Sequence, residues 1–354
     1  MDTILTEEKR MHIAERFASD GQPVRIGPYG TGHVNDTFLV ETETGNRYIL
    51  QRISALLTTD AEGLMHNIQA ITEYLCERIT DPRGVIPLIM TKDGKPYVKD
   101  SSGNWRMYGF IPDSVCLTPP QDESFFYKSA LAFGRFIDLL KDFPADTLLE
   151  TIPDFHNTPV RFRQFHDALR EDRAGRKKEV EKEIEFLLAR EKKAGRLQHL
   201  RDAGELPVRV THNDTKLDNI LFDRDTLEPL CVIDLDTVMP GLVPYDFGDS
   251  IRSGAATAPE DEKDPDKVAL DLHRYEIYRE GFLKACPSLT PLETELLPAG
   301  AWTITLEQGA RFLADYLNGD PYYHTAYPDH NLVRCRTQLK LISEMEKHPT
   351  VFDF

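Results

Sequence analysis

Short runs that alternate apolar and polar residues fill the first third of the chain, and glycine-rich turns separate them. Residues 24–26, 37–42 and 47–53 have the β-branched and aromatic content of strands, so the pattern predicts an antiparallel meander. Apolar residues at helical spacing predict an amphipathic helix over 6–18 before the meander and another over 61–78 after it. Two further strands are predicted around the polar turns at 92–95 and 101–104.

Beyond Pro112 the pattern becomes mainly helical. Apolar stripes predict helices of varied length, at 125–140, 160–196, 270–284, 290–317 and 332–347. Two β-rich runs, which end at Thr211 and Ile233, interrupt the helices and resemble an inserted β-hairpin. We therefore expect an α+β chain with a small N-terminal antiparallel sheet lobe over residues 1–112 and a larger, mainly helical C-terminal lobe over 113–354.

Length and charge narrow the classes of function. A chain of 354 residues exceeds the size that one hydrophobic core ordinarily serves, which agrees with two lobes. Lysine and arginine number 42 against 59 aspartate and glutamate residues, which gives a formal net charge of -17. Binding to nucleic acid or to an anionic membrane depends on clustered positive charge, so we expect neither partner. A small neutral substrate and a metal-complexed nucleotide fit this charge better.

The five cysteines are scattered and odd in number, without Cys-x-x-Cys spacing, at Cys76, Cys116, Cys231, Cys286 and Cys335. The pattern therefore indicates neither a disulfide scaffold nor a zinc site. The first ten residues are charged, and no apolar run approaches the ~18 residues that a membrane span requires. We expect a soluble protein of the reducing cytoplasm.

Two of the β-rich runs deliver acidic and amide side chains into polar turns. The first leads to His212-x-Asp214-x-x-x-x-Asn219 and the second to Ile233-Asp234. Such a pair of turns is typical of phosphoryl transfer, in which a carboxylate takes the proton of a hydroxyl and oxygen ligands hold Mg²⁺. We predict Asp214 as the general base and Asn219 and Asp234 as magnesium ligands. Asp and Asn also populate ordinary turns, and that alternative stays open.

The segment between the first two predicted strands is rich in glycine. Gly30 and Gly32 would let the backbone approach a nucleotide closely, and His33 follows them. A plain glycine hairpin is the alternative, but the downstream turns favour contacts with the nucleotide. In the same interpretation, His33 and Asn35 reach phosphate or substrate. Tyr108, in the last strand before the lobe boundary, completes the predicted nucleotide contacts.

The third predicted strand lacks the phosphate-pairing lysine that many kinases place there. Strand alternation puts Ile49 and Gln51 on one face and Leu50 and Arg52 on the other. The uncharged Gln51 then faces the nucleotide, while Arg52 points away. This favours a catalytically silent nucleotide-binding module, whereas the intact base and metal residues argue against it.

Longer blocks of sequence carry a resemblance to known enzymes. The matching blocks lie at 209–217, 233–237, 239–241, 246–252, 311–317 and 330–334. On these blocks the chain resembles the aminoglycoside phosphotransferase superfamily and, within it, the N-acetylhexosamine 1-kinases, over nearly its whole length. The resemblance implies a bilobal protein-kinase-like fold, in which residues 1–112 form the nucleotide-binding lobe and 113–354 the catalytic and substrate lobe.

The resemblance also implies ATP- and Mg²⁺-dependent phosphorylation of N-acetylglucosamine or N-acetylgalactosamine at the anomeric (C1) hydroxyl. Carried over by position, Asp214 is the base and touches the substrate, and Asn219 and Asp234 are metal ligands. Arg311 is then a substrate contact, with a fork of donors suited to sugar or phosphate oxygens. The aromatic run Tyr322–Tyr327 stacks on a sugar or forms a packed loop. Kinases of an aminoglycoside, an amino alcohol or a plain hexose stay as alternatives.

Supporting roles are expected for several polar residues near these blocks. Asp236 would lie near a second ion or its water shell, and His212 would brace the loop by hydrogen bonds. Asp246 is interpreted as a buried brace for the same loop, with Arg252 paired to a nearby acid. Asp315 lies one helical turn from the substrate arginine and would orient it or bind sugar.

Overall fold

A computed structural model describes residues 6–30, 35–55, 60–117 and 122–354. The chain forms two compact units whose segments alternate along the sequence. The first unit contains Met1–Cys116, Asp146–Ile152 and Ile220–Met239. The second unit contains Leu117–Ala145, Pro153–Asn219 and Pro240–Phe354.

The main sheet of the first unit is antiparallel throughout its described strands. These strands are β1 (Pro23–Pro28), β2 (Asp36–Thr42), β3 (Arg47–Ile53), β4 (Leu88–Ile89), β5 (Val98–Asp100) and β6 (Gly103–Gly109). Their order is β1-β2-β3-β6-β4, and β5 also pairs with β6. The register sets Thr37, Gln51 and Arg106 side by side across β2, β3 and β6. These three side chains therefore share one face of the sheet.

The other face of this sheet forms the hydrophobic core of the first unit. Phe38, Leu50 and Met107 are neighbours across the same three strands and are buried. Phe17, which follows helix α1 (Glu7–Ala14), belongs to the same cluster. Burying each such side chain stabilises the fold by about 1.5–3 kcal/mol. The register is fixed as a result, because a shift by one residue would move this apolar set to the opposite face.

Helix α2 (Ala61–Cys76) begins where the side chain of Asp60 accepts a hydrogen bond from the backbone N–H of Gly63. This N-cap satisfies one of the donors that the first helical turn leaves open. The buried Asn67 then donates from Nδ2 to the carbonyl oxygen of Leu149 at 2.8 Å. Helix α2 is thereby fixed to a segment that lies far away in sequence.

A second sheet of the first unit consists of β7 (Ser114–Cys116), β9 (Ile220–Asp223) and β10 (Pro229–Val232). Its order is β10-β9-β7, with both pairings antiparallel. The predicted division after residue 112 differs from the observed first unit, which runs to residue 116 and includes the later hairpin. Backbone pairing of β7 with β9 explains the difference, because it ties segments about a hundred residues apart.

The second unit is mainly helical. Its helices are α3 (Glu123–Leu139), α4 (Thr158–Glu171), α5 (Glu181–Leu188), α6 (Glu191–Ala194), α7 (Arg196–Asp202), α8 (Val243–Gly254), α9 (Leu272–Ala285), α10 (Pro291–Glu295), α11 (Leu297–Asn318), α12 (His330–Met345) and α13 (Pro349–Phe352). The short strand β8 (Arg209–Thr211) precedes the polar loop, and β11 (Met239–Gly241) begins in the first unit and ends in the second. The predicted α+β class, with an N-terminal antiparallel sheet and a larger helical part, is confirmed.

Two predicted helices are broken in the structure. The helix predicted over 160–196 ends at Glu171, because Asp172 and Gly175 adopt left-handed conformations with φ of 41° and 69°. Short helices continue from there. The helix predicted over 290–317 is divided at Leu296 into α10 and α11. Charge and apolar spacing indicated helices in these two regions but did not locate the interruptions, and helix α8 was not predicted.

Helices α8 and α11 approach each other closely at two glycines. A Cβ atom built on Gly300 would lie 1.8 Å from the carbonyl oxygen of Pro244, and one on Gly248 would lie 2.5 Å from the backbone of Gly300. No side chain fits at such distances, so only glycine permits this crossing. The crossing matters for the site because α8 supplies Asp246 and α11 supplies Arg311.

All five cysteines lie in the described part of the chain, and none of them forms a disulfide there. Cys76 and Cys116 are exposed, whereas Cys231, Cys286 and Cys335 are buried. Within the described ranges, none of the helices combines the length and apolar content that crossing a bilayer requires.

Candidate active site

Strand β8 delivers the predicted base into a tight polar loop. Asn213 has a φ of 63°, a left-handed conformation that asparagine tolerates better than most residues. Nζ of Lys216 lies 2.6 Å from Oδ1 of Asp214, and Nδ2 of Asn219 donates to Oδ2 of Asp214 at 3.0 Å. Each carboxylate oxygen therefore keeps capacity to accept a further hydrogen. The structure brings Asp214 and Asn219 together and adds a lysine to the pair.

Helix α8 fixes the path of this loop through Asp246. The buried Asp246 carboxylate accepts from the backbone N–H groups of His212 at 2.7 Å and of Asn213 at 2.8 Å. Burial raises the pKa of Asp246 to about 7, although the two N–H donors favour its charged form. The predicted brace is confirmed. His212 contributes its backbone N–H, while its ring packs edge-on against Phe133 and Phe136.

A second carboxylate on α8 holds the loop on the other side of the base. Asp249 accepts from the backbone N–H of Thr215 at 3.1 Å and from Nη2 of Arg252 at 2.8 Å. Arg252 also pairs with Glu260, so the predicted pairing of this arginine with an acid is confirmed. Burial opposes ionisation of Asp249, but Arg252 and Lys216 outweigh it and lower the pKa of this carboxyl.

His156 also contacts the loop that carries Asp214. Its Nδ1 lies 3.0 Å from Oε1 of Glu307, and its Nε2 lies 3.3 Å from the carbonyl oxygen of Asn213. Glu307 is fully buried on α11 and also accepts from the hydroxyl of Thr158 at 2.6 Å. A chain of polar contacts therefore links α11 to the peptide that precedes the base.

Helix α11 also carries the predicted substrate residue, Arg311. Its guanidinium carbon lies 5.4 Å from the ring centre of Phe155 and 5.8 Å from that of Tyr323. Within the described ranges, neither Arg311 nor the nearby Arg161 forms an ion pair; their polar contacts are to Gln308, Gln164 and a backbone carbonyl. Burial and the Arg311 cation lower the pKa of Arg161. Both guanidinium groups are attracted electrostatically to the buried Glu307 carboxylate, whose close contacts are to His156 and Thr158.

Asp315 anchors the aromatic segment instead of orienting Arg311. Its carboxylate accepts from the backbone N–H groups of Tyr322 and Tyr323, both at 3.0 Å, and from Nδ2 of Asn331 at 3.0 Å. The interpretation that it orients the arginine is therefore wrong. Tyr322 is 61% exposed, so its ring is available to a ligand. Stacking of a sugar on this segment stays a prediction.

The first unit contributes the turn of the predicted metal ligand. Asp234 is exposed, has a φ of 60° and precedes a 3₁₀ turn, Leu235–Thr237. Asp236 within this turn is buried, and Arg106 donates to both of its oxygens, from Nη2 at 3.0 Å and from Nη1. Nδ2 of Asn35 adds a further donor at 2.7 Å. The prediction that Asp236 lies near a second ion is wrong, because internal donors engage both oxygens.

Asn35 and Gln51 likewise serve the interior of the first unit. The side-chain oxygen of Asn35 accepts from the backbone N–H of Ser54 at 2.9 Å, and its Nδ2 donates to Asp236 at 2.7 Å. That this amide also reaches phosphate or substrate stays a prediction. Gln51 accepts from Nε of Arg106 at 3.0 Å and donates to Thr37 at 3.1 Å. The sheet face of Gln51, which was predicted to be uncharged, therefore carries the guanidinium of Arg106 from the neighbouring strand β6.

Arg52 points to the opposite face of the sheet, as strand alternation predicted. Its Nε donates to Oδ2 of Asp36 on the neighbouring strand at 2.7 Å. The two side chains are partly exposed, at 31% and 49%. This surface ion pair therefore does not replace the lysine that the strand lacks.

The predicted nucleotide contacts are only partly described. Gly30 has a φ of 77° and open space around its Cα, so a glycine suits this turn. Gly32 and His33 lie outside the described residues. Tyr108 is 4% exposed and its ring lies beside Arg106, so its backbone is the better candidate for a nucleotide contact. These nucleotide roles stay predictions.

The metal prediction can be tested against the donor chemistry. Among the described residues, no three His, Cys, Asp or Glu side chains converge to hold an ion. Mg²⁺ is commonly held by one or two carboxylates together with phosphates and water, so a closed cage is not needed. Nδ2 of Asn219 donates to the backbone oxygen and to the carboxylate of Asp214, which leaves its own amide oxygen as a possible ligand. Asn219 and Asp234 belong to different units, and their shared role stays a prediction.

Several residues of the site were missed by sequence reasoning. Lys216 stands two positions after the base, and that spacing alone could have suggested a contact. Arg106 interrupts an apolar strand between Trp105 and Met107, which is an unusual position for an unpaired charge. His156 and Glu307 leave no comparable signal, because they meet the loop only in the folded chain.

The chain was compared with protein families and with solved structures. A family model described as the phosphotransferase enzyme family matches residues 25–280. A spectinomycin phosphotransferase solved with ADP and spectinomycin has a TM-score of 0.63 and 11% identity, over 98% of this chain and 100% of that one. A microcompartment-associated aminopropanol kinase has a TM-score of 0.61 and 16% identity, over 96% and 97%.

An amicoumacin kinase solved with AMP-PNP, Ca²⁺ and amicoumacin has a TM-score of 0.59 and 14% identity, over 94% of this chain and 93% of that one. At these identities the likenesses establish the fold, and the predicted kinase-like fold is confirmed. The family match extends over well more than half of the sequence. The chain therefore belongs to the phosphotransferase enzyme family.

Proposed function

We propose that the chain is a kinase that transfers the γ-phosphoryl group of ATP to the anomeric hydroxyl of an N-acetylhexosamine, either N-acetylglucosamine or N-acetylgalactosamine. The observation that carries the proposal is the carboxylate of Asp214, presented after β8 with Lys216 and Asn219 on its two oxygens. Family membership supplies the class of reaction. The resemblance of the blocks around Arg311 and His330 to N-acetylhexosamine 1-kinases supplies the acceptor.

In this reaction Asp214 accepts the proton of the sugar hydroxyl as that oxygen attacks the γ-phosphorus. The bond from the γ-phosphorus to the bridging oxygen breaks, and the products are the sugar 1-phosphate and ADP. An anomeric hydroxyl is more acidic than an ordinary alcohol, so an ionised carboxylate is an adequate base. Lys216 orients this carboxylate and adds positive charge where the phosphoryl group is transferred.

The helix α8 carboxylates act as positioning residues. Asp246 binds the backbone N–H groups before the base, and Asp249 binds the one after it. Both contacts restrict the loop before substrate arrives. Restriction of this kind lowers the entropic cost of reaching the reactive geometry.

Asn219 and Asp234 would hold Mg²⁺, which neutralises the triphosphate when it is bound. Amide and carboxylate oxygens suit this hard cation. The presence of ADP or AMP-PNP in two similar structures, and of Ca²⁺ in one of them, supports a nucleotide and a divalent cation here. The other proposed nucleotide contacts are Gly30, Gly32, His33 and Tyr108.

The charge around Arg311 supports a neutral acceptor. Aminoglycosides and amino alcohols are cations at neutral pH, and they need acidic partners. Arg161 and Arg311 bring two positive charges beside one carboxylate, Glu307, whose close contacts are to His156 and Thr158. A guanidinium fork instead suits uncharged oxygen acceptors such as an acetamido carbonyl or sugar hydroxyls.

Two other functions follow from particular observations. A kinase of another small hydroxyl compound is favoured by the aminopropanol kinase and the antibiotic kinases among the similar structures. A silent nucleotide-binding module is favoured by Gln51 at the position of the expected lysine. Each of these functions gives a different outcome in an acceptor screen.

The substitution Asp214→Asn tests the proposed base. We expect turnover of Mg-ATP with N-acetylglucosamine or N-acetylgalactosamine to fall by about 10²- to 10⁴-fold, because an amide cannot take the proton. Phosphate transfer is measured by coupled ADP release, and NMR identifies the product as the 1-phosphate. Circular dichroism and thermal unfolding show whether the variant folds.

Asp218→Asn is the matched control, because it removes the same charge from an exposed position of the same loop. It should retain activity. Turnover of ethanolamine, aminopropanol, an aminoglycoside or plain hexose, with both N-acetylhexosamines inert, would contradict the proposed acceptor. Nucleotide binding without ADP release on any acceptor would identify a silent module.

A further inference from the structure

We infer that Arg106 is a positioning residue for the proposed metal site: acting through Asp236, it fixes the segment 233–238, the metal turn, that presents Asp234. Arg106 lies on β6, the strand next to β3. It would place a positive charge beside the metal turn, where β3 lacks the lysine of many kinases. The inference rests on the proposed function, because that function assigns Asp234 to Mg²⁺. It adds a residue that contacts neither the metal nor the nucleotide.

A polar row across three strands leads to the metal turn. Thr37, Gln51 and Arg106 are direct neighbours in the register of β2, β3 and β6. Gln51 donates to Thr37 at 3.1 Å and accepts from Nε of Arg106 at 3.0 Å. Both ends of its amide are therefore used to hold the guanidinium in one orientation. Gln51 stands where many kinases place a lysine, and here its amide holds the guanidinium of Arg106 on the next strand.

The guanidinium ends on the metal turn itself. Arg106 binds both oxygens of Asp236 through Nη1 and Nη2, the latter at 3.0 Å. Such a two-point contact fixes direction as well as distance, which a lysine ammonium cannot do. Asp236 stands two residues after Asp234, within the single 3₁₀ turn that follows it. Orientation of Asp236 therefore constrains the backbone on which Asp234 is mounted.

Burial favours a positioning role over direct contact with phosphate. The side chains of Arg106 and Asp236 are only 1% and 4% exposed. Burial disfavours the guanidinium charge, but the neighbouring Asp236 outweighs it and raises the pKa of Arg106. The cation is thus held by a carboxylate inside the unit, away from solvent. It can influence a bound metal through the turn but is not presented to a ligand.

Two other side chains hold the same turn through hydrogen bonds. Nδ2 of Asn35 donates to Asp236 at 2.7 Å. Nδ2 of the fully buried Asn67 donates to the carbonyl oxygen of Val238 at 3.1 Å. Outer contacts of this kind commonly change metal affinity by about 10- to 100-fold when they are removed.

The test uses two variants of the pair and one matched control. Arg106→Met combined with Asp236→Leu removes both charges together, so that neither is left buried alone. Arg106→Lys keeps the charge but removes the two-point contact, and it serves as the milder variant if the double variant is unstable. The control is Arg52→Met combined with Asp36→Leu, which removes the ion pair on the opposite face of the same strands.

Three quantities are measured on the full chain. These are deuterium uptake of residues 233–238, the Mg²⁺ concentration at half-maximal turnover, and the Kd of ATP in EDTA. For the double variant we expect faster uptake and at least a tenfold rise in half-saturating Mg²⁺, with the metal-free Kd changed less than threefold. Arg106→Lys should shift uptake and Mg²⁺ in the same direction, and the control should resemble wild type.

Unchanged uptake in both Arg106 variants would overturn the inference, and so would uptake raised equally by the control. A tenfold loss of metal-free ATP affinity with unchanged Mg²⁺ dependence would also overturn it, because Arg106 would then bind phosphate itself. Deuterium uptake requires no turnover. Uptake therefore still tests whether Arg106 fixes the metal turn if the wild-type chain proves inactive, an outcome that would itself contradict the proposed function.

Discussion

At the scale of single residues, Asp246 fixes the backbone of the loop that carries the proposed base. Its carboxylate is buried and serves two consecutive backbone N–H groups at 2.7 and 2.8 Å. A buried N–H without an acceptor costs about 1–3 kcal/mol, so each oxygen of this carboxylate has a structural task. Substitution by an amide would replace one of the two acceptors by a donor.

We expect Asp246→Asn to change the pH dependence of stability. The pKa of Asp246 is about 7 in the folded chain and about 3.9 in an unfolded one. Between these values the folded state holds a proton that the unfolded state has released, so the free energy of unfolding falls as pH rises from about 4 to about 7. The slope is at most about 1.4 kcal/mol per pH unit. The variant should lack this contribution.

Chemical unfolding of wild type and variant at several pH values measures the effect. The advantage of wild type over Asp246→Asn should be largest near pH 4 and shrink toward pH 7. Asp167→Asn, an exposed aspartate on α4, is the control and should run parallel to wild type. Parallel curves for Asp246→Asn and wild type would contradict the assignment of the raised pKa.

Contacts among the candidate residues were predictable where they follow from local spacing, whereas the catalytic and metal roles stay predictions. Asp214, Asn219 and the bracing Asp246 were identified from motifs, and the structure brings them into one loop network. Asp236 was misassigned and Arg106 was missed, because their contact joins positions 130 residues apart in sequence. Strand register and side-chain pairing decide that contact, and neither can be read from a single sequence.

At the scale of elements, the crossing of α8 and α11 helps to set where the bracing carboxylates and Arg311, the proposed substrate contact, lie. Its close approach depends on the absence of a side chain at Gly248 and Gly300. Sequence patterning predicted α11 only as part of a longer helix over 290–317, and it did not predict α8. The crossing itself was not predictable, because it depends on which faces meet.

Gly300→Ala should destabilise the fold by about 3 kcal/mol, because its Cβ would overlap the carbonyl oxygen of Pro244 and backbone cannot yield as a flexible side chain can. The free energy of unfolding from urea titration measures the change. Gly309→Ala on the same helix is the control, since its Cβ would meet only side-chain atoms, at 3.2 Å or more. Its effect should stay within about 1 kcal/mol. Equal effects of the two substitutions would contradict the role of the crossing.

At the scale of the whole molecule, the net charge of -17 separates this protein from those that bind polyanions. Neutralisation of phosphates by lysine and arginine supplies most of the non-specific affinity of proteins for DNA. An excess of 17 acidic groups opposes that attraction over the whole surface. A single bound nucleotide differs, because a divalent cation can offset its phosphates locally.

We therefore expect no binding of a short DNA duplex at physiological salt, with any Kd weaker than about 10⁻⁴ M. Fluorescence anisotropy of a labelled duplex measures this, with Mg-ATP binding to the same preparation as the positive control. Submicromolar duplex binding that weakens steeply with added salt would contradict the expectation and reveal a local basic surface.

The distribution of the thiols has a practical consequence. Both exposed cysteines, Cys76 and Cys116, belong to the first unit, whereas the cysteines of the second unit are buried. A maleimide fluorophore would consequently label only the unit that contains the polar row and the metal turn. The emission of the attached fluorophore could then report the binding of a ligand to the first unit. The natural cysteines would be sufficient, so no engineered labelling site is needed.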